Sequence, residues 1–73
     1  MSTDTLAVAD EALSGGRWDE ARAAYEAALA AEESAHALEG LGLALRWLED
    51  FRRCFESQER AFLLYRVAGE NLR

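Results

Sequence analysis

The residues able to do chemistry in this chain are few and scattered. His36 is the one histidine, and Glu32, Glu33 and Glu39 lie within a helical turn of it. A histidine with two carboxylates can hold a metal. Carboxylates recur throughout this sequence, however, so the expectation is a solvated helix start with a His–Glu pair and no metal. Cys54 is flanked by Arg52 and Arg53, which would favour its thiolate. It stands on an apolar stripe with no histidine near it in sequence, as an inert core thiol does. Ser14 and Ser57 lack a partnered base. Gly15-Gly16 without a P-loop lysine is a turn and not a phosphate cradle. Glu32 and Glu33 fall on a charged face where nothing would shift a carboxyl pKa. The set assigns no catalytic residue and no cofactor; the chain is expected to hold another molecule and not to be an enzyme.

Bulk properties point the same way. The chain has 73 residues, 51% of them hydrophobic, and no proline. That length allows a single domain, 1–73, with a thin core. Ala, Leu, Glu and Arg dominate, so an all-α fold is expected. The net charge of −6 lacks the basic footprint that phosphate contacts need, so no direct nucleic-acid partner is expected. The charge is lopsided. Residues 51–73 hold Arg52, Arg53, Arg60, Arg66 and Arg73 against three acids, while the acids crowd residues 1–50. This is either chance on solvated faces or a pair of complementary ends that attract in an assembly. A lone cysteine, no basic leader and no apolar run of about 18 residues lead to the expectation of a soluble, cytoplasmic protein without a membrane partner.

Four helical stretches must position these residues. The first runs from about Asp4 to Ser14, with Ser2, Thr3 or Asp4 as caps, Leu6, Ala9 and Leu13 on one face, and Gly15-Gly16 as its stop. The second runs from about Trp18 to Glu32 on a stripe of Trp18, Ala21, Tyr25, Ala28 and Leu29. Ser34 caps the third, whose seam is Leu38, Leu41, Leu45 and Leu48. Asp50 caps the fourth, with a seam of Phe51, Cys54, Phe55, Gln58, Ala61, Phe62 and Tyr65 and a stop at Gly69. The connections are short enough for antiparallel hairpins. The halves also align. At an offset of 33, Val8 meets Leu41, Ala9 meets Gly42, Ala12 meets Leu45, Trp18 meets Phe51, Ala21 meets Cys54, Ala28 meets Ala61 and Leu29 meets Phe62. A helical pair repeated at such a period is a solenoid signature.

On these residues the chain resembles the tetratricopeptide repeats over nearly its whole length. Leu38-x-x-Leu41-Gly42-x-x-Leu45 is similar to the family's first helix, with Cys54 and Ala61 at the small positions of its second. Gly16-x-Trp18-Asp19-Glu20-Ala21-x-x-x-Tyr25-x-x-Ala28 resembles the second helix of the other copy. The closing proline is missing near Glu33, Gln58 stands where an aromatic is usual, and Glu49 replaces the turn glycine. The resemblance implies an all-α fold of two helix-turn-helix repeats, about 4–33 and 34–69: four antiparallel helices in a short α-solenoid. Small residues at Ala9/Ala21 and Gly42/Cys54 would bring helices together, with Trp18, Tyr25 and Phe51 filling wider gaps. Residues 37–66 also resemble helical-repeat regions of LuxR-type transcriptional regulators, which implies a sensor or oligomerisation segment as an alternative role. A small-molecule-binding helical module is a third.

In the tetratricopeptide family the first helix of each repeat lines a concave groove. That resemblance implies a partner-binding face of Leu6, Asp10, Leu13, His36, Glu39, Leu43, Arg46 and Trp47. Such a mixed face would suit a protein or peptide partner carrying an apolar anchor and a base, with Trp47 as anchor point or packed on the fourth helix. Two repeats are also too few to cover a solenoid end. Leu63, Leu64 and Val67 on the fourth helix are therefore expected to mediate self-association as a homodimer, or else to fold back onto the core.

Overall fold

The computed structural model describes residues 2–71, with side chains placed for residues 5–69. Its elements are α1 (Ser2–Ser14), α2 (Trp18–Ala31), α3 (Ala35–Trp47) and α4 (Phe51–Asn71), with no strand among the described residues. The all-α expectation holds. The cap proposed at Ser2, Thr3 or Asp4 concerns side chains outside those described; the backbone is helical from Ser2.

Local chemistry fixes the other boundaries. Ser34 Oγ accepts from the Ala37 N–H at 3.2 Å and so satisfies a free donor of the first turn of α3. Asp50 does the same for α4, accepting from the Arg53 N–H at 3.4 Å. Helices α1 and α3 end in one and the same hydrogen-bonded turn. Gly16 N–H donates to the Leu13 carbonyl and Arg17 N–H to that of Ala12. Likewise Glu49 N–H donates to Arg46 and Asp50 N–H to Leu45. Both turns pass through the left-handed region, at φ 77° for Gly16 and 65° for Glu49. Glycine takes that conformation freely, whereas the Cβ of a glutamate is crowded there. The 33-residue offset seen in residue types thus recurs in the backbone, and Glu49 carries strain in a glycine's place.

Packing runs between sequential neighbours. The backbone of α3 meets α2 on one side and α4 on the other and also touches α1; α4 approaches no other helix backbone among the described residues. This is a stack, with α3 in the middle. That position explains why α3 buries Ala37, Leu38, Gly40, Leu41, Gly42, Ala44 and Leu45, more than half of its circumference, while α2 buries one narrower face. The core joins Ala9, Ala12, Ala21, Ala28, Ala37, Ala44 and Cys54 to Leu41, Leu45 and Tyr25. Small side chains let helix axes draw close, and the few large ones fill what remains. Tyr25 is 1% exposed. Its ring lies so near Gly40 that a Cβ on the glycine would overlap it. At Gly42 a Cβ would stand 3.0 Å from Gln58 Cγ and 3.6 Å from the Cys54 carbonyl oxygen, the close approach expected of that pair.

Two expectations are corrected. Gly69 does not stop α4, which runs through it to Asn71, and its φ is not left-handed. Secondly, the core face of α4 is Cys54, Ser57 and Ala61, with Leu64 half-buried. Phe51, Phe55, Gln58, Phe62 and Tyr65 are exposed, because α3 lies against the small side chains and the bulky ones cannot fit beneath it. Phe51 accordingly fills no internal gap. Two of the C-terminal arginines are also used inside the chain: Arg53 meets Glu26 at 2.6 Å, and both oxygens of Glu33 accept from Arg60 at 2.9 Å. The first pair ties α4 to α2 and the second ties it to the α2–α3 connection; the Arg60 guanidinium holds the Glu33 carboxyl below the usual carboxylate range.

Two substitutions test this account by urea unfolding. Glu49→Gly is expected to stabilise the chain by about 1 kcal/mol, through release of the left-handed strain. Gly40→Ala is expected to destabilise it by about 2 kcal/mol or more, because the Tyr25 ring has nowhere to move in a packed core.

Candidate interaction surface

The residues expected to line one groove fall into two groups. Leu6 and Leu13 are half-buried against the core of α1 and α2. Asp10 and His36 are bound to each other: His36 Nε2 donates to the Asp10 oxygens at 2.9 and 3.0 Å, and the Tyr25 hydroxyl donates to Asp10 as well. This knot joins α1, α2 and α3. Partial burial pushes the Asp10 carboxyl up, but the hydrogen bonds from Tyr25 and His36 outweigh it and hold the group below its ordinary range. Burial, then the bond to Asp10, raises the Tyr25 phenol above its usual value. No group of three His, Cys, Asp and Glu side chains is near enough to share a metal among the described residues.

Glu39, Leu43, Arg46 and Trp47 form the second group and turn towards α4. Three shallow hollows run together there. The first, of about 490 Å³, lies among Glu39, Leu43, Gln58, Ala61, Phe62 and Tyr65. The second, of about 630 Å³, shares Leu43 with it and adds Arg46, Trp47 and Phe51. The third, of about 350 Å³, shares Arg46, Phe51 and Gln58 and adds Phe55. Shared walls make these one continuous strip along the α3–α4 edge. Trp47 closes one end by stacking on Trp18, with centroids 5.1 Å apart and planes 9° from parallel. It therefore stacks on α2 while still facing Phe51 across the hollow, and 61% of it stays exposed. Tyr65 is bound to Glu39, and burial with that bond raises its phenol above the usual value.

The chain matches no family model, no curated protein and no solved structure.

The side chains of the strip are its deciding feature. Phe51, Phe55, Phe62 and Tyr65 are 54, 70, 63 and 50% exposed, with Leu43 beside them. Aromatic side chains carry roughly 150–250 Å² each, so these four leave about 500 Å² of ring in water. A folded chain seldom leaves so much contiguous apolar surface without use. Leu63 and Val67, expected to mediate self-association, are also exposed, but on a separate face of α4, past Glu59 and Arg66. Sequence reasoning assigned the aromatic strip to the interior. The signal that separates the faces was present in the small residues: Cys54, Ser57 and Ala61 repeat Ala21, Ala24 and Ala28 of α2 at the 33-residue offset, and that row is the one laid against the preceding helix.

The knot at Asp10 has a testable acid dependence. The folded-state pKa of Asp10 is depressed. Its contribution to stability is therefore complete above the unfolded carboxylate value, near 3.8, and is lost as pH falls through the lower folded value. Urea midpoints measured from pH 6 downward should fall more steeply below about pH 4 for the native chain than for Asp10→Asn. Parallel curves would sever Asp10 from the knot.

Proposed function

We propose that this chain is a non-enzymatic interaction module of the tetratricopeptide type, and that its docking surface is the aromatic strip between α3 and α4. One observation carries the reading: four aromatic side chains in register on one helix edge stand in water beside a hollow floored by α3. Rigid rings of this kind supply contact area at small entropic cost, which suits them as anchors. The stacking of α1 to α4 in sequence order and the duplicated turns at Gly16 and Glu49 support a solenoid whose α4 face is uncovered among the described residues. An uncovered end presents the groove in which a further helix would lie. The occupant is therefore helical, its apolar face towards the strip. The first-helix residues Asp10 and His36 contribute less, because they are already bound to each other.

Phe55→Asp/Phe62→Asp places two charges on the strip without touching the core. Stability is expected to stay within about 0.5 kcal/mol of the native value, as for other surface changes. Complexes recovered with the native chain from extracts of its own cells should be lost with the double variant. Recovery of the same complexes by both chains would remove the strip from the function.

A further inference from the structure

We propose that the strip receives α4 of a second copy of this chain, the two α4 helices packed antiparallel about a two-fold axis. This rests on the reading of the strip as an interaction surface and names its occupant.

The spacing of the strip is the first argument. Phe51, Phe55, Gln58, Phe62 and Tyr65 alternate by four and three residues, the spacing that lets two helices interlock along a seam. A seam of this pattern can meet its own reversed copy, as an isologous contact requires. Area is the second. The roughly 500 Å² of exposed ring approaches, with Leu43, Gln58 and the flanking charges, the ~800 Å² per partner of a stable interface.

Charge complementarity is the third, and it selects the register. Cys54 and Ala61 flank the seam on the side of α3; Arg52, Glu59 and Arg66 flank it on the side of solvent. Two antiparallel registers keep four seam layers. In one, Phe51 lies opposite the partner's Phe62 and Phe55 opposite the partner's Gln58. Glu59 of each copy then lies across from the partner's Arg52, giving two attractive pairs at the rim. In the other, slid by seven residues, Phe55 lies opposite the partner's Tyr65. Glu59 then faces the partner's Glu59, and Arg52 faces the partner's Arg66. Every rim pair is repulsive there. The first register is the one assigned. Its rim charges are available, since Arg53 and Arg60, on the other side of the helix, are taken by Glu26 and Glu33. Arg52 has a long, solvent-exposed contact with Glu56 at 3.7 Å.

Head-to-tail stacking, in which α1 of a second copy covers the strip, fits less well. The α1 positions equivalent to the buried α3 residues Leu41 and Ala44 are Val8 and Glu11. That arrangement would set the Glu11 carboxylate among the phenylalanine rings.

Sedimentation equilibrium of the purified chain at roughly tens of micromolar reads the proposal. A dimer is expected, and Phe55→Asp should return a monomer with unchanged helical circular dichroism. Glu59→Arg alone should weaken the dimer roughly ten-fold, since it turns both rim attractions into repulsions. Arg52→Glu/Glu59→Arg should restore it. A clean monomer overturns the assignment, as does a dimer indifferent to Phe55→Asp or one the charge exchange fails to restore. A monomer whose strip-dependent complexes still return from cell extracts would remove the second copy and leave the interaction reading standing. Loss of both would remove the reading too.

Discussion

A tyrosine ring seated on a glycine joins the two halves of this chain. Tyr25 leaves α2 towards α3, and the missing side chain at Gly40 is what admits it. Its hydroxyl, carried to the far side of the contact, ends on Asp10, which in turn accepts from His36. One residue thereby spans three helices with an apolar body and a polar tip, each satisfied by a different neighbour. Among the described residues no other large side chain is so completely buried apart from Leu45. Beside Leu38 and Leu41 the remaining core is mostly alanine, glycine and cysteine, and it works through proximity rather than bulk: helices drawn close by small residues gain many weak contacts that wider spacing would forfeit.

Much of this was legible in the sequence. The caps at Ser34 and Asp50, the glycine turn at Gly16 and the alanine face of α2 follow from residue type and spacing alone. The 33-residue offset is legible too, and the left-handed backbone of Glu49 carries it into a place where the residue type argues against it. The orientation of α4 was not legible. Its aromatic residues carry the stronger hydrophobic signal, yet the face that α3 meets is the small one. Apolar residues are common on protein surfaces, so hydrophobicity alone does not say which of two stripes turns inward. Nor does spacing reveal Trp18 against Trp47 or Asp10 against His36, since each pair joins helices whose relative rotation is set by the core.

The arginines of α4 divide by face in the same way. Those beside α2 are neutralised within the chain, by Glu26 and Glu33. Exposed pairs of this sort add little stability. The lopsided charge of the sequence is in this part an internal matter. What is left over, on the opposite edge of the aromatic strip, has both signs and sits beside the surface with the greatest call for a partner.

The placing of α4 has a mechanical consequence. Backbone to backbone, its 21 residues rest on one neighbour, where α3 rests on three, and beyond that neighbour the exposed pairs of Arg53 and Arg60 add little. In a chain held together by nearest-neighbour contacts, a terminal unit opens at the free energy of its single interface while the remainder stays folded. The surface that would recruit an occupant is therefore also the least anchored element of the chain. Anything that binds there holds α4 down, so the length of the folded stack and the occupancy of its end rise and fall together.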